Sequence, residues 1–155
     1  MNKMEQRTAL KELFNVFHRA KALKVLPSQR CYSRKLEKVL EIVTVPGLIN
    51  LNADDFYTAF WGKKNLTLFS IQARGKRCVE KACGELLKAL RNAKIADYAG
   101  AVFNVSGGDN LTLYDVNKLA EVIYNFLDPG TNIVFGAVID GKKDDWIEVT
   151  LVAGK

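Results

Sequence analysis

Apolar residues recur at helical spacing in several parts of the chain. A helix buries one stripe, so its apolar residues fall three or four positions apart. This spacing predicts helices over residues 8–26, 34–43, 54–61, 76–92 and 113–127. Pro27-Ser28 separates the first two helices, and Thr112 and Asp115 have the spacing of a capping box at the start of the last.

Four other segments have the composition or alternation of strands. In the first of them, NLTLFSIQARG, Leu66, Leu68, Ser70 and Gln72 fall on one side. The other three read AGAVFNVSGG, NIVFGAVID and WIEVTLVAG, and GKKDD between the last two predicts a hairpin. The order of elements predicts an α/β (α+β) fold, a four-stranded mixed sheet packed by helices and preceded by two N-terminal helices.

The positive charge is concentrated in the first part of the chain. The chain has 155 residues, enough for one domain, and a formal net charge of +6. Residues 1–44 hold ten basic and four acidic residues, whereas residues 45–155 hold 13 of each. We therefore divide the chain into a basic helical segment, 1–44, and a neutral domain, 45–155. The basic segment could bind nucleic acid or an acidic membrane surface, and the alternative is a helix face that is only solvated.

Several classes of site are disfavoured by the residues present. The chain has three scattered cysteines and one histidine, His18. The odd number of cysteines predicts reduced thiols in a cytosol-like compartment, and the scatter of these four residues disfavours a zinc site. GAVIDGKK has phosphate-loop spacing but strand-forming residues, with Lys143 where a magnesium-binding hydroxyl should stand. SGGDN is favoured as a glycine turn over an anion site. The basic helices have no interleaved exposed aromatics, which disfavours specific nucleic-acid binding.

The loop VPGLINLNADDF holds an unusual number of polar groups between two apolar segments. Four of them fall within six residues: Asn50, Asn52, Asp54 and Asp55. Such residues cap helices and stabilise turns. One cap would satisfy that need, and a loop rich in carboxylates and amides can also position a water or contact a phosphate-bound metal.

This loop resembles the synergy loop of FtsZ, the bacterial and plastid relative of tubulin that polymerises at the division site. The resemblance continues through AVFNVSGGDNLTLYDVNKLAEVIY and NIVFGAVID to IEVTLVAG, which covers residues 45–155 and is nearest to the cyanobacterial and plastid type. Residues 34–44 resemble the end of the family's central helix. The family's GGGTG-type loop is absent from this sequence, so the resemblance implies the C-terminal domain alone.

In the family, the synergy loop of one subunit completes the GTP-hydrolysing site of the next. The resemblance therefore implies that Asn50, Asn52 and Asp55 complete a partner's catalytic site. It implies interface roles for Gly47, Leu48, Ile49 and Asp54. Asn52 replaces the first aspartate of the family pattern, and an amide cannot take a proton from water. We expect no cofactor or metal in this chain, with GTP and Mg²⁺ bound only by a partner.

The leading hypothesis is a non-enzymatic interaction module that contacts the nucleotide face of an FtsZ-type partner and caps or modulates its filaments. The partner is another GTPase or the chain's own missing N-terminal domain, and a homodimer stays open. One alternative is a GTPase half-site that is active only on assembly. The other is a basic-helix binder of membrane surfaces or nucleic acid. We expect a cytoplasmic location, or the plastid stroma. The basic first helix favours a natural short protein over a fragment.

Overall fold

A computed structural model of the protein describes residues 4, 22–26, 47–51, 53–60, 62–63, 65–94, 97–141 and 144–155, with the backbone alone at 22–26, 53, 54, 56 and 57. The elements along the chain are β1 (Ala22–Leu26), α1 (Ala53–Phe60), β2 (Asn65–Arg74), α2 (Cys78–Ala93), β3 (Gly100–Gly107), α3 (Leu113–Phe126), β4 (Asn132–Ile139) and β5 (Trp146–Gly154). Most of the two predicted N-terminal helices, with the basic residues they carry, falls outside these ranges.

The strands form one mixed sheet in the order β1-β2-β5-β3-β4. β5 is antiparallel to both of its neighbours, β2 and β3, while β1 runs parallel to β2 and β4 runs parallel to β3. Every residue of β5 is buried, and the face toward the main core is wholly apolar, with Ile147, Val149, Leu151 and Ala153. The predicted four strands and their packing by helices are confirmed.

A fifth strand occupies a segment that the sequence predicted as the end of a helix. Residues Ala22–Leu26 form β1 and pair along β2 from Asn65 to Phe69. The helix predicted over residues 8–26 is therefore wrong in its last five residues. The physical reason is non-local, because the open edge of β2 offers backbone partners that a local apolar period cannot reveal.

The predicted hairpin between the last two strands is also wrong. β3 lies between β4 and β5 and hydrogen-bonds to both. β4 follows α3 and returns parallel to β3, as a strand–helix–strand unit does. Two strands joined by a short connection form a hairpin only when they are neighbours in the sheet. The sequence does not show which strands are neighbours.

One face of the sheet forms the main core with α2 and α3. Its largest fully buried side chains include Phe69, Phe103, Leu86, Leu119 and Ile123. The predicted capping box at the start of α3 is confirmed, because the Thr112 side chain accepts from the Asp115 backbone amide and the Asp115 carboxylate accepts from the Thr112 amide. The helix thereby satisfies backbone donors that its first turn leaves unpaired.

The helix α1 packs on the opposite face of the sheet, near the start of β3 and the end of β5. A Cβ atom at Gly100 would lie 2.0 Å from the Ala59 carbonyl oxygen, and one at Gly154 would lie 2.8 Å from Phe60 Cδ1. Glycine is needed at both positions because any side chain would separate the helix from the strands. This contact fixes α1, and with it the loop that precedes the helix.

Candidate functional site

The loop that enters α1 lies against the outer edge of β4. The Ile49 amide donates to the Ala137 carbonyl at 3.1 Å, and the Ala137 amide donates to the Ile49 carbonyl at 3.0 Å. These bonds form an isolated antiparallel bridge on the edge of β4 that does not face β3. We call residues Gly47–Leu51 the edge loop. The bridge fixes its middle residue to the sheet.

The first residue of the edge loop approaches the same strand closely. A Cβ atom at Gly47 would lie 2.3 Å from the Ala137 carbonyl oxygen, which is far closer than any real contact. The Gly47 amide donates to the Asn50 side-chain Oδ1 at 2.7 Å, which closes the loop over four residues. The sequence resemblance predicts that Asn50 faces a partner. In the structure, its side-chain oxygen instead accepts a hydrogen bond within the loop.

The last residue of the edge loop is fixed by packing. Leu51 is 5% exposed, and its Cγ would lie 2.8 Å from a Cβ placed at Gly136. Leu48 is 49% exposed and Asn50 is exposed, so the loop alternates between residues that contact β4 and residues that face solvent. A rigid edge loop with an outward apolar and an outward polar residue is therefore presented at the side of the domain.

The acidic residues of the predicted site lie in the first turn of α1. The helix begins at Ala53, and the Asp55 side chain is half-buried. For Asp54 the structure gives the backbone position in the helix, and Asn52 lies outside the described residues. Carboxylates in a first helical turn are stabilised by the unpaired amides there. Asp54 and Asp55 lie two and three residues after Asn52, in a helix that packs on the sheet.

The sequence did not identify a row of polar side chains on the α1 face of the sheet, of which Glu148 and Asn104 are buried. Glu148 is 2% exposed, and its Oε2 accepts from Gln72 Nε2 at 3.0 Å. Asn104 Nδ2 donates to Ser106 Oγ at 3.2 Å, and Asn104 Oδ1 would lie 3.0 Å from a Cβ at Gly136. The signal was present as polar residues at alternate strand positions. Only the order of strands shows that they form one row.

A groove of about 620 Å³ lies between α2 and α3. Cys83 lines it together with Leu87, Lys118 and Phe126. Burial raises the pKa of the Cys83 thiol, and the positive charge of Lys118 partly opposes that rise. Among the described residues, no group of three His, Cys, Asp or Glu side chains is placed to hold a metal, and no helix is long and apolar enough to cross a membrane.

Comparison with known proteins agrees with the fold. Residues 66–155 match the family model described as FtsZ family, C-terminal domain. The cell division protein FtsZ of Methanothermobacter thermautotrophicus is 31% identical over 120 residues, which are 77% of this chain and 32% of that protein. This chain thus spans about a third of that relative's length.

Two solved structures show the same architecture at lower identity. An empty FtsZ dimer from M. jannaschii superposes with a TM-score of 0.71 and 20% identity, over 99% of this chain and 51% of that one. TubZ of Bacillus thuringiensis serovar israelensis, in GDP-form protofilaments, gives a TM-score of 0.61 and 12% identity, over 79% of this chain and 34% of that one. At these identities the superpositions establish the fold.

Proposed function

Because this chain belongs to the FtsZ family and carries its C-terminal domain, we propose that it docks its edge loop on the nucleotide face of an FtsZ-type partner and modulates the partner's assembly. The single observation that carries the proposal is the geometry of the loop. Ile49 and Leu51 are fixed to the sheet, while Leu48 and Asn50 face outward. A pre-organised loop loses little conformational freedom on docking, and this favours binding.

The chemistry of the loop suits contact with a partner that itself holds GTP and Mg²⁺. Asp55 supplies a carboxylate, which can accept from positive donors or from water bound to a metal. Asn52 supplies an amide, and Asn50 supplies the N–H donors of its amide, and neither can remove a proton from water. We therefore propose that the isolated chain is not an enzyme. Its partner is another FtsZ-type GTPase or a GTP-binding domain of its own, in the cytoplasm.

Docking of such a domain would stop filament growth at one end. These 155 residues, added as they stand, can occupy an exposed nucleotide face through the edge loop, and their sequence contains no GGGTG-type loop with which to offer a nucleotide face to the next subunit. Growth from that end then requires dissociation of the chain. Substoichiometric amounts should therefore suppress assembly, because each chain blocks one filament end and not one free subunit.

Light scattering of a cognate FtsZ-type protein with GTP, with and without this chain, tests the proposal. We expect suppression by the natural sequence and weaker suppression by a variant that lacks Leu48 to Asn50. Tyr124→Ala is a matched control, because Tyr124 is 49% exposed on α3, as Leu48 is on the edge loop. Unchanged assembly with the natural sequence, or equal suppression by the loop deletion, would contradict the proposal.

A second candidate function is a half-site that accelerates GTP hydrolysis by a partner. The half-buried carboxylate of Asp55 on a fixed helix is the observation that favours it. The two functions differ in one assay, because a half-site raises the phosphate release per partner molecule, whereas a cap lowers it together with assembly. Asp55→Asn keeps the shape and removes the charge, so it should abolish such acceleration.

A further inference from the structure

We infer that Asn50 is a positioning residue, which holds the edge loop on β4 in the conformation that docks. This inference rests on the proposed function and deepens it. The loop and its resemblance predicted a side chain directed at a partner's nucleotide. In the structure, however, the Asn50 Oδ1 accepts from the Gly47 amide at 2.7 Å, within its own loop.

The Asn50 bond acts on the point where the loop is closest to the sheet. Gly47 lies against the Ala137 carbonyl so closely that a Cβ there would be 2.3 Å away. The same carbonyl accepts the Ile49 amide at 3.1 Å. If Gly47 moved, the bridge two residues later would have to adjust. The Asn50 oxygen therefore ties Gly47 to the residue that follows Ile49, and Gly47, Ile49 and Asn50 form one rigid unit on Ala137.

The sheet supplies the other half of this arrangement. Leu51 lies over Gly136, where a Cβ would be 2.8 Å from Leu51 Cγ and 2.9 Å from its Cδ1. Gly136 and Ala137 of β4 are thus the seat of the loop, one through the absence of a side chain and the other through its backbone. Leu48 is the outward residue between the fixed positions and is 49% exposed. The seat and the Asn50 bond together determine where Leu48 points.

Amide hydrogen exchange measured by NMR on the full chain tests the inference without any partner. In Asn50→Ala, the Gly47 amide should exchange about fivefold faster, the factor that corresponds to a net hydrogen-bond contribution of about 1 kcal/mol. The Ala137 amide should also exchange faster, because its bond to Ile49 loosens. Asn50→Asp keeps an oxygen in the same place and should keep both rates close to those of the natural sequence.

Two outcomes would overturn the inference. Unchanged exchange at Gly47 and Ala137 in Asn50→Ala would show that the side chain does not hold the loop. Fast exchange in Asn50→Asp would show that the side-chain oxygen is not the cause. Exchange at Phe103, in the centre of the sheet, is the control for global unfolding and should not change in either variant.

Binding to an FtsZ-type partner separates positioning from direct contact. We expect Asn50→Ala to weaken binding in parallel with its faster exchange. Weaker binding with unchanged exchange would mean that Asn50 touches the partner directly, and the positioning role would be wrong. If the natural sequence does not bind at all, the proposed function fails, while the exchange rates still decide whether Asn50 holds the loop.

Discussion

Substitution of Gly136 by alanine should displace the edge loop. The new Cβ would lie 2.8 Å from Leu51 Cγ, 2.9 Å from Leu51 Cδ1 and 3.0 Å from Asn104 Oδ1. Leu51 is 5% exposed, the bridge at Ile49 precedes it by two residues, and α1 begins two residues after it. Because the backbone on both sides is fixed, we expect overpacking to cost about 1–3 kcal/mol in the free energy of unfolding.

A double-mutant cycle identifies the cause of that destabilisation. Leu51→Ala removes most of a buried side chain and should cost about 2–5 kcal/mol alone. In the double variant the alanine at 136 no longer meets Leu51 Cγ and Cδ1 and contacts only Asn104 Oδ1. The cost of the double variant should therefore be smaller than the sum of the two single costs by about 1 kcal/mol or more. Gly84→Ala is the matched control, because a Cβ there meets nothing within 4 Å. It should stabilise the exposed middle of α2 by up to about 1 kcal/mol.

Urea unfolding followed by circular dichroism measures these free energies. Exchange of the Ala137 amide in Gly136→Ala shows whether the loss is local to the seat. If the costs at Gly136 and Leu51 add to within about 0.5 kcal/mol, as independent sites do, then Leu51 does not press on position 136. If Gly136→Ala behaves like Gly84→Ala, the close packing of the edge loop on β4 is wrong.

Three further predictions concern the rest of the domain. Calorimetric titration of the isolated chain with GTP and Mg²⁺ should show no binding, because the sequence contains no GGGTG-type loop, and micromolar affinity would contradict the proposal that only a partner binds GTP. Thr112→Ala should cost about 1 kcal/mol because it removes the capping box with Asp115, whereas Thr58→Ala, at an exposed position of α1, should change the free energy of unfolding by less than about 0.5 kcal/mol. Cys83 should react with iodoacetamide at pH 8 more slowly than in the urea-unfolded chain, because burial raises the pKa of its thiol. Lys118→Met should slow the reaction further, because it removes the positive charge that lowers this pKa. A faster reaction in the Lys118→Met variant would contradict this electrostatic role.

The local patterns in the sequence predicted the elements that local physics controls. The apolar stripe predicted α2 over residues 76–92, and the helix is Cys78–Ala93. The spacing of Thr112 and Asp115 predicted the start of α3 because a capping box acts within one turn. Such features depend on neighbours in the chain, and these neighbours are visible in the sequence.

The features that the sequence did not predict all involve distant partners. β1 forms because β2 has an open edge, and β4 and β5 are separated because β3 pairs with both. The seat of the edge loop depends on Gly136 and Ala137, which read only as strand residues. The resemblance predicted which loop matters. It did not predict that Asn50 closes that loop on Gly47.

Site-specific photo-crosslinking tests the central claim that the edge loop faces a partner's nucleotide. A photoreactive amino acid replaces Leu48 in one variant and Tyr124 in another, two positions that are each 49% exposed, on the edge loop and on α3 respectively. Each variant is mixed with an FtsZ-type partner and GTP, irradiated, and mapped by mass spectrometry. We expect crosslinks from position 48 to residues around the partner's nucleotide pocket and few from position 124. Crosslinks from position 48 that lie only elsewhere on the partner, or the same crosslinks from both positions, would contradict that claim.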